Sequence, residues 1–308
     1  MNFPVFDLHC DTADKLLAGA ELNKNAAHID LERAETLPGY AQCFACFTTT
    51  GGRYNPLDVF EKKMALLMYE LMNNQDKISQ VFNASEIETN LAEGRMSAIL
   101  TIEGPAGFGF DPALLEDLYK VGFRITTLGW NEDNPLTGSH TTGGGLTNRG
   151  REYVKEAQRL GMLVDVSHIS DQGFWDIMDI TEAPIIASHS NSRSVWNHSR
   201  NITDEMFQAI CNTGGVVGIN LYPDFLGENA TLDTVCRHVL HFTSMDPECN
   251  HIALGGDLDG FDVTPADFAG IEDYPKLADA LLENGLTEEQ VYKIFWQNAL
   301  GVVKRCCM

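Results

Sequence analysis

The sequence alternates short apolar segments with longer segments of helical periodicity, and this alternation constrains the fold more than any other feature. Eight apolar segments are predicted strands, at residues 4–10, 40–48, 97–103, 124–130, 162–168, 184–189, 215–221 and 251–257. Predicted helices lie between and after them, at residues 57–73, 112–120, 149–160, 171–178, 204–212, 232–242, 274–283 and 287–304. Four of these helices follow residues that favour the N-cap position, namely Thr147, Ser170, Thr203 and Thr287.

Strands that alternate with helices favour an α/β fold in which a parallel sheet closes into a (β/α)8 TIM-like barrel. An open, doubly wound sheet is the alternative that the same pattern allows. The chain has 308 residues without a linker or a low-complexity tract, so we expect a single domain over residues 1–308.

The charge balance excludes several classes of partner. The chain carries 44 acidic and 21 basic side chains, a net charge of −23, and therefore lacks the basic surface that nucleic acids or anionic membranes require. No apolar run reaches the ~18 residues of a membrane span. The first seven residues contain no basic segment, so we expect no signal peptide and a cytoplasmic location.

The eight cysteines are expected to be reduced, since a large chain without an export signal has little use for disulfides. Cys43 and Cys46 form an isolated C-x-x-C pattern inside a predicted strand. Residues three apart in a strand face opposite sides of the sheet. We therefore expect this pair to pack in the core and not to share a metal.

Six residues that commonly bind metals or transfer protons fall at the carboxyl ends of predicted strands. They are His9, Asp11, Glu103, His168, His189 and Asp257. In an α/β barrel these ends meet on one face, where active sites lie. His9 and Asp11 are two residues apart, which places both side chains on the same side of an extended strand. The pattern predicts one pocket built from distant parts of the chain.

Each of these residues, taken singly, has an ordinary structural explanation. A lone histidine after a buried strand is more often hydrogen-bonded in the core, and Glu103 could be a solvated strand terminus. The occurrence of His168 and His189 on neighbouring predicted strands is harder to explain in this way. The combination therefore favours a functional site.

The ligand types predict zinc, because imidazole nitrogen and carboxylate oxygen are the ligands that zinc takes. Three histidines and two carboxylates exceed one closed tetrahedral site, so two zinc ions that share a carboxylate are predicted. Two such ions, roughly 3.5–4 Å apart, can hold a bridging water and lower its pKa to near 7. Cobalt or manganese could occupy the same ligands. The sequence contains no H-E-x-x-H helix, no G-x-S-x-G turn and no phosphate-binding loop.

Seven short motifs resemble those of the renal (membrane) dipeptidase family and occur in the family's order through nearly the whole chain. They are D-L-H-C-D-T at residues 7–12, H-I-D-L at 28–31, I-E-G at 102–104, L-G-M-L-V-D-V-S-H at 160–168, S-H-S at 188–190, S-R-N at 199–201 and L-G-G-D-L-D-G at 254–260. The resemblance implies a barrel of the metal-dependent hydrolase superfamily, two zinc ions and the cleavage of dipeptides. It also implies a bacterial-type enzyme and a homodimer.

The resemblance assigns each matching position a role at the metals. His9 and Asp11 would hold one zinc ion, and His168 and His189 would hold the other. Glu103 would bridge the two ions.

Three further residues acquire roles by the same resemblance. Asp257 would transfer the proton of the attacking water to the leaving amine, and Arg200 would pair with the terminal carboxylate of the substrate. Trp130 lies where mammalian members of the family carry a substrate-contacting histidine. It cannot act as an imidazolium, although its indole N–H remains a donor, so we expect a different contact to the substrate.

The resulting hypothesis is that a metal-bridging hydroxide hydrolyses dipeptides, including those with a D-residue at the C-terminal position. One alternative is another reaction on the same scaffold, with a lactone, an N-acyl amino acid or a β-lactam as substrate. A second alternative is a barrel that binds metal or peptide without turnover.

Overall fold

The computed structural model describes residues 3–307. Its strands are β1 Val5–Cys10, β2 Tyr40–Phe47, β3 Ile78–Gln80, β4 Met96–Glu103, β5 Phe123–Thr127, β6 Leu163–Asp165, β7 Ile185–Ile186, β8 Val217–Ile219 and β9 Ile252–Leu254. Its α-helices are α1 Thr12–Leu17, α2 Leu31–Ala34, α3 Pro56–Asn73, α4 Ala84–Glu93, α5 Leu115–Val121, α6 Asn148–Leu160, α7 Asp171–Met178, α8 Asp204–Thr213, α9 Pro223–Leu226, α10 Leu232–Met245, α11 Tyr274–Glu283, α12 Glu288–Tyr292 and α13 Asn298–Cys306. Short 3-10 turns cover Pro105–Phe108, Pro112–Leu114 and Ile271–Asp273.

Eight parallel strands form a barrel in the order β7-β6-β5-β4-β2-β1-β9-β8. A parallel bridge between Ala187 and Val217 joins the two ends of this path and closes the sheet. The short strand β3 pairs with β4 outside the path. The predicted barrel is thus confirmed, and the open, doubly wound alternative is excluded.

Local sequence signals set the helix boundaries. The side chains of Thr147, Ser170, Thr203 and Thr287 each accept a hydrogen bond from a backbone N–H in the first turn of the following helix, as predicted. A π-helical turn, Lys293–Gln297, joins α12 to α13. The result is one C-terminal helical segment, residues 288–306, close to the predicted 287–304.

Two apolar clusters share the barrel wall. The outer cluster packs the strands against the surrounding helices. The inner cluster takes side chains from seven of the eight barrel strands, among them Phe6, Ile99 and Ile186, and from Val216 just before β8. It combines them with Trp296 and Val302 of the C-terminal helical segment. This segment therefore closes the interior at the amino ends of the strands.

Several predicted strands are too long at their carboxyl ends. The segments 162–168 and 251–257 are strands only to Asp165 and Leu254. His168 and Asp257 have positive φ values of 72° and 58°, which no strand residue adopts. The chain turns at these points instead of continuing the sheet. The strand β3 and the helices α1, α2, α4 and α9 were not predicted.

All eight cysteines are free. Cys43 belongs to the inner apolar cluster and Cys46 to the outer cluster, so the pair faces opposite sides of β2 and cannot hold one ion. Between residues 3 and 307, no helix combines the length and the apolarity needed to cross a membrane.

Candidate metal centre

The six predicted site residues meet at the carboxyl ends of the barrel strands. His9 lies in β1 with Asp11 just after it, and Glu103 is the last residue of β4. His168, His189 and Asp257 each lie three residues after their strands. Asp11, Glu103 and the three histidines are buried, and the side chain of Asp257 is 15% exposed. The structure therefore brings together every predicted ligand.

Glu103 lies at the middle of this cluster, and its two carboxylate oxygens face different partners. Oε2 is 3.4 Å from Nε2 of His9, whereas Oε1 is 3.0 Å from Nε2 of His168 and 3.8 Å from Nε2 of His189. Burial alone would raise the pKa of Glu103, but the charge of His9 holds it well below its usual value. This carboxylate stays ionised and reaches both sides of the cluster.

The first side of the cluster is rich in carboxylates. Nε2 of His9 is 3.5 Å from Oδ2 of Asp11 and 3.8 Å from Oδ1 of Asp257. Burial and the charge of Glu103 raise the pKa of Asp11 well above its usual value. Burial also raises the pKa of Asp257, although His9 opposes the shift. Buried like charges at this spacing repel one another unless a cation lies among them.

Gly260 makes this approach of carboxylates possible. A Cβ atom at this position would lie 2.5 Å from Oδ2 of Asp11 and 2.7 Å from Oδ1 of Asp257. Any other side chain would push these oxygens apart. The glycine is the last residue of the motif at 254–260.

The second side of the cluster consists of two neutral imidazoles. Nε2 of His168 and Nε2 of His189 are 2.9 Å apart. Burial and the nearby Arg200 guanidinium lower the pKa of His168 to about 3. Burial and the charge of His9 lower the pKa of His189 well below its usual value. Neutral histidines present nitrogen lone pairs, which are the form that binds metals.

His189 is oriented by a carboxylate through a serine. Its Nδ1 is 2.6 Å from the hydroxyl of Ser188, and this hydroxyl donates to Asp165. Because the only hydroxyl hydrogen is used by Asp165, Nδ1 of His189 must be the donor to Ser188. The lone pair of His189 is therefore on Nε2, the nitrogen that faces Glu103. Outer-shell partners of this kind orient metal-binding histidines.

The His9 side is held by buried backbone contacts. Asp7 of β1 accepts hydrogen bonds from the backbone N–H groups of His9, at 2.9 Å, and Gly256, at 2.9 Å, and from the hydroxyl of Tyr274. Asp7 therefore ties the first strand to the turn after β9. Asn220 donates from Nδ2 to Oδ2 of Asp257 at 3.0 Å, which leaves Oδ1 directed at His9.

The donor set fits divalent metal ions. Two groups of ligand atoms lie within 4.8 Å of one another, namely His9 with Glu103 and His189, and His9 with Asp11 and Asp257. Nε2 of His9 is buried without a hydrogen-bond partner among the described residues. A buried nitrogen of this kind is costly unless a ligand satisfies it. Imidazole and carboxylate together match zinc.

Arg200 lies beside the two neutral histidines. Its Nη2 is 3.0 Å from Nε2 of His168, and its guanidinium packs 5.2 Å from the centre of the Phe225 ring. The side chain is buried, and no carboxylate of residues 3–307 forms a salt bridge with it. A buried cation without an anionic partner is strongly destabilised, so this guanidinium is suited to bind an anionic ligand.

A cavity of about 850 Å³ opens above the cluster. Trp130 and Phe47 form an aromatic wall with ring centres 4.9 Å apart, and Trp130 lies 6.2 Å from the ring of His168. Tyr222 and Phe261, with ring centres 5.2 Å apart, also line the cavity. The cavity is large enough for a small peptide.

The sequence analysis missed several residues that support the cluster. Asp7 and Asp165 interrupt strands that are otherwise apolar, and this is a signal that could have identified them, because a buried carboxylate needs partners. Asn131 and Asn220 carried no comparable signal. Their position beside the ligands depends on how the barrel closes.

Known proteins resemble this chain through nearly its whole length. The sequence profile described as "Membrane dipeptidase (Peptidase family M19)" matches residues 1–306. An uncharacterized dipeptidase of Schizosaccharomyces pombe is 34% identical over 250 residues, 79% of this chain and 60% of that protein. The chain thus spans less than two thirds of this relative's length. An uncharacterized protein from the pqqA 5′ region of Klebsiella pneumoniae is 30% identical over 264 residues, 81% of this chain and 97% of that protein.

A solved structure supports the same similarity. A metallo peptidase from Rhodobacter sphaeroides, in complex with a phosphinate mimic of the dipeptide L-Ala-D-Ala, superposes with a TM-score of 0.91 at 26% identity. The superposition covers 99% of this chain and all of that one.

Proposed function

Because the chain belongs to the membrane dipeptidase family, peptidase family M19, we propose that it is a metal-dependent dipeptidase with two zinc ions. The placement of Glu103 supports this function most directly, since its two oxygens face His9 on one side and His168 with His189 on the other. A carboxylate in this position can bridge two cations.

The chain's own residues would divide the two ions between them. His9 and Asp11 would hold one ion, His168 and His189 the other, and Glu103 both. When bound, the ions would polarise the scissile carbonyl and lower the pKa of the attacking water.

Asp257 is proposed to transfer the proton. Asn220 fixes one of its oxygens, and the other faces the cluster. Burial raises the pKa of Asp257, which makes the carboxylate a better proton acceptor than an exposed aspartate. It would accept a proton from the attacking water and deliver it to the leaving amine.

Arg200 is proposed to bind the terminal carboxylate of the substrate. A guanidinium forms two parallel hydrogen bonds with a carboxylate, and this one is buried without a described salt-bridge partner. Because it lies next to His168, a free carboxylate bound there would be close to the metals. This geometry favours dipeptides over longer chains.

Trp130 is proposed to contact the substrate side chains. Together with Phe47 it offers an apolar surface at the cavity wall. The L-Ala-D-Ala mimic in the Rhodobacter sphaeroides relative makes dipeptides with a C-terminal D-residue the first substrates to assay here.

The function is tested by elemental analysis of the purified protein and by a substrate panel. The panel contains dipeptides with L- and D-residues at the C-terminal position, a lactone, an N-acyl amino acid and a β-lactam. We expect dipeptide hydrolysis that a chelator abolishes and zinc restores. Faster turnover of another substrate class would reassign the reaction, and metal uptake without any turnover would indicate a binding protein.

The variant Asp257→Asn tests the proton transfer. It should retain both metals and lose about 10²- to 10⁴-fold in kcat, the range typical of a general acid–base group. The matched control is Asp262→Asn, since Asp262 lines the same cavity but its side chain is 96% exposed. Wild-type turnover in the Asp257 variant would remove this residue from the mechanism.

A further inference from the structure

Asn131 links two histidines through one oxygen atom. Its Oδ1 is 2.7 Å from Nδ1 of His168 and 2.9 Å from Nε2 of His140. An amide oxygen only accepts hydrogen bonds, so both ring nitrogens must carry hydrogen. Asn131 thereby fixes the tautomer of both rings.

The tautomer matters because His168 directs its other nitrogen, Nε2, at the candidate metal site. With the hydrogen on Nδ1, Nε2 presents its lone pair toward Glu103, 3.0 Å away. The opposite orientation of the Asn131 amide would place N–H groups against both rings. His168 would then carry its hydrogen on Nε2 and could not bind a metal.

The hydrogen-bond chain extends beyond His140 to the loop that carries Arg200. Nδ1 of His140 is 2.8 Å from the hydroxyl of Ser199 and accepts from it, because Nε2 is the donor to Asn131. The backbone N–H of His140 also donates to the carbonyl oxygen of His168 at 2.9 Å. His140 therefore contacts His168 twice, directly through the backbone and indirectly through Asn131.

These contacts hold His168 in an unfavourable backbone conformation. Its φ of 72° lies in the left-handed region, which a residue with a side chain adopts only where the surroundings hold it there. His189 differs, because Ser188 and the Asp165 carboxylate orient it. His168 has only neutral partners on its Nδ1 side, so its orientation depends on the geometry of the amide and the second imidazole.

We propose that His140 is a positioning residue for the metal centre, which acts through Asn131 to set the tautomer and the ring orientation of His168. This inference rests on the proposed function, since it requires His168 to bind a metal. It concerns how firmly one ion is held, and assigns His140 no contact with the substrate.

The experiment compares His140→Ala and His140→Gln with the wild type in a chelator competition that measures zinc per chain. Loss of an outer-shell partner typically weakens metal affinity about 10- to 100-fold. We expect His140→Ala to lose one of two zinc ions at chelator concentrations where the wild type retains both. A glutamine amide can donate to Asn131 from the position of Nε2, so His140→Gln should recover most of the affinity.

A matched control is His241→Ala, which removes another half-buried histidine. His241 contacts Asp204, 2.8 Å away, and none of the candidate metal ligands. It should retain zinc as the wild type does. Asn131→Leu serves as a second probe, because leucine has a similar shape without an acceptor, and it should reproduce the loss seen in His140→Ala. Thermal unfolding of the metal-free proteins shows whether each variant is folded.

The possible failures are distinct. Wild-type zinc affinity in both His140→Ala and Asn131→Leu would overturn the positioning role and leave the proposed function intact. Equal weakening in His140→Ala and His140→Gln would also overturn it, since the donor would then be irrelevant. A wild-type protein that takes up no metal would instead overturn the proposed function.

Discussion

At the carboxyl ends of the strands the barrel buries carboxylates and imidazoles, whereas at the amino ends it buries apolar side chains. At the carboxyl ends, Glu103 lies 3.4 Å from His9 and 3.0 Å from His168. Carboxylate oxygens and imidazole lone pairs this close together are stabilised when a cation binds between them. The second end packs Phe6 against Trp296 with ring centres 5.8 Å apart. Burial of the apolar set stabilises the fold, while burial of the polar set opposes folding unless a ligand compensates.

Stability and chemistry are therefore located at opposite ends of one barrel. The strands belong to both ends, so a rigid apolar base can position groups that would otherwise repel one another. Two further consequences can be measured: substitutions at the polar end should alter metal binding and turnover, and substitutions at the apolar end should alter the free energy of unfolding.

The largest effect is expected for Glu103→Gln. This substitution removes the one carboxylate that reaches both sides of the cluster, so the protein should fail to hold two metals. We expect kcat/KM for dipeptides to fall about 10⁴-fold, equivalent to roughly 5 kcal/mol of transition-state stabilisation. Elemental analysis and steady-state kinetics measure both quantities. Glu182→Gln, at an exposed position, serves as the control. Normal zinc content with normal turnover in Glu103→Gln would show that this carboxylate is not needed to hold the metals.

A smaller effect, on stability instead of turnover, is expected for Trp296→Ala. The indole is 2% exposed within the inner apolar cluster, and removal of a buried tryptophan typically costs about 3–5 kcal/mol. Denaturant unfolding should show this loss, while kcat/KM of the folded protein stays within about twofold of the wild type. The control is Trp175→Ala, where the side chain is 40% exposed. A loss of turnover without a loss of stability would break the proposed separation of the two ends.

The smallest effect concerns pH. His238 is buried beside the loops of the polar end, where Nδ1 accepts from the backbone N–H of Ser192 and Nε2 donates to the carbonyl oxygen of Leu226. Burial lowers its pKa to about 4 in the folded protein, against about 6.5 in the unfolded chain. The unfolded chain therefore binds the extra proton first as the pH falls, and folding loses free energy.

The stabilisation that the neutral His238 side chain gives the folded state is fully present above about pH 6.5. It declines as the pH falls toward 4, and the free energy of unfolding decreases by about 3 kcal/mol in total. Unfolding measured across this range should show a steeper acid loss in the wild type than in His238→Gln. Identical pH profiles for the wild type and His238→Gln would show that this histidine does not contribute.

Much of the fold could be predicted because its signals are local. The N-caps Thr147, Ser170 and Thr203 act within one helical turn, and apolar periodicity within one element identified the eight barrel strands. The carboxyl ends of β1 and β4 were predicted correctly, at Cys10 and Glu103. Those of β6 and β9 were not, since the chain turns away at His168 and Asp257 through left-handed residues. Such turns are imposed by contacts with other strands and leave little trace in local composition.

The candidate site, like the fold, has features that the sequence predicted and features that it did not. The α/β barrel, the resemblance to a peptidase family and the identity of the converging residues follow from the sequence alone, because the order of the predicted strands and the types of ligand can be seen in it. The folded arrangement of the barrel was needed to show that Glu103 faces His9 on one side and His168 on the other. It was also needed to show that Asp165 orients His189 through Ser188, and that His140 reaches His168 through Asn131. These relations join atoms on different strands and loops, and their distances are set by the closure and packing of the barrel, which no single segment encodes.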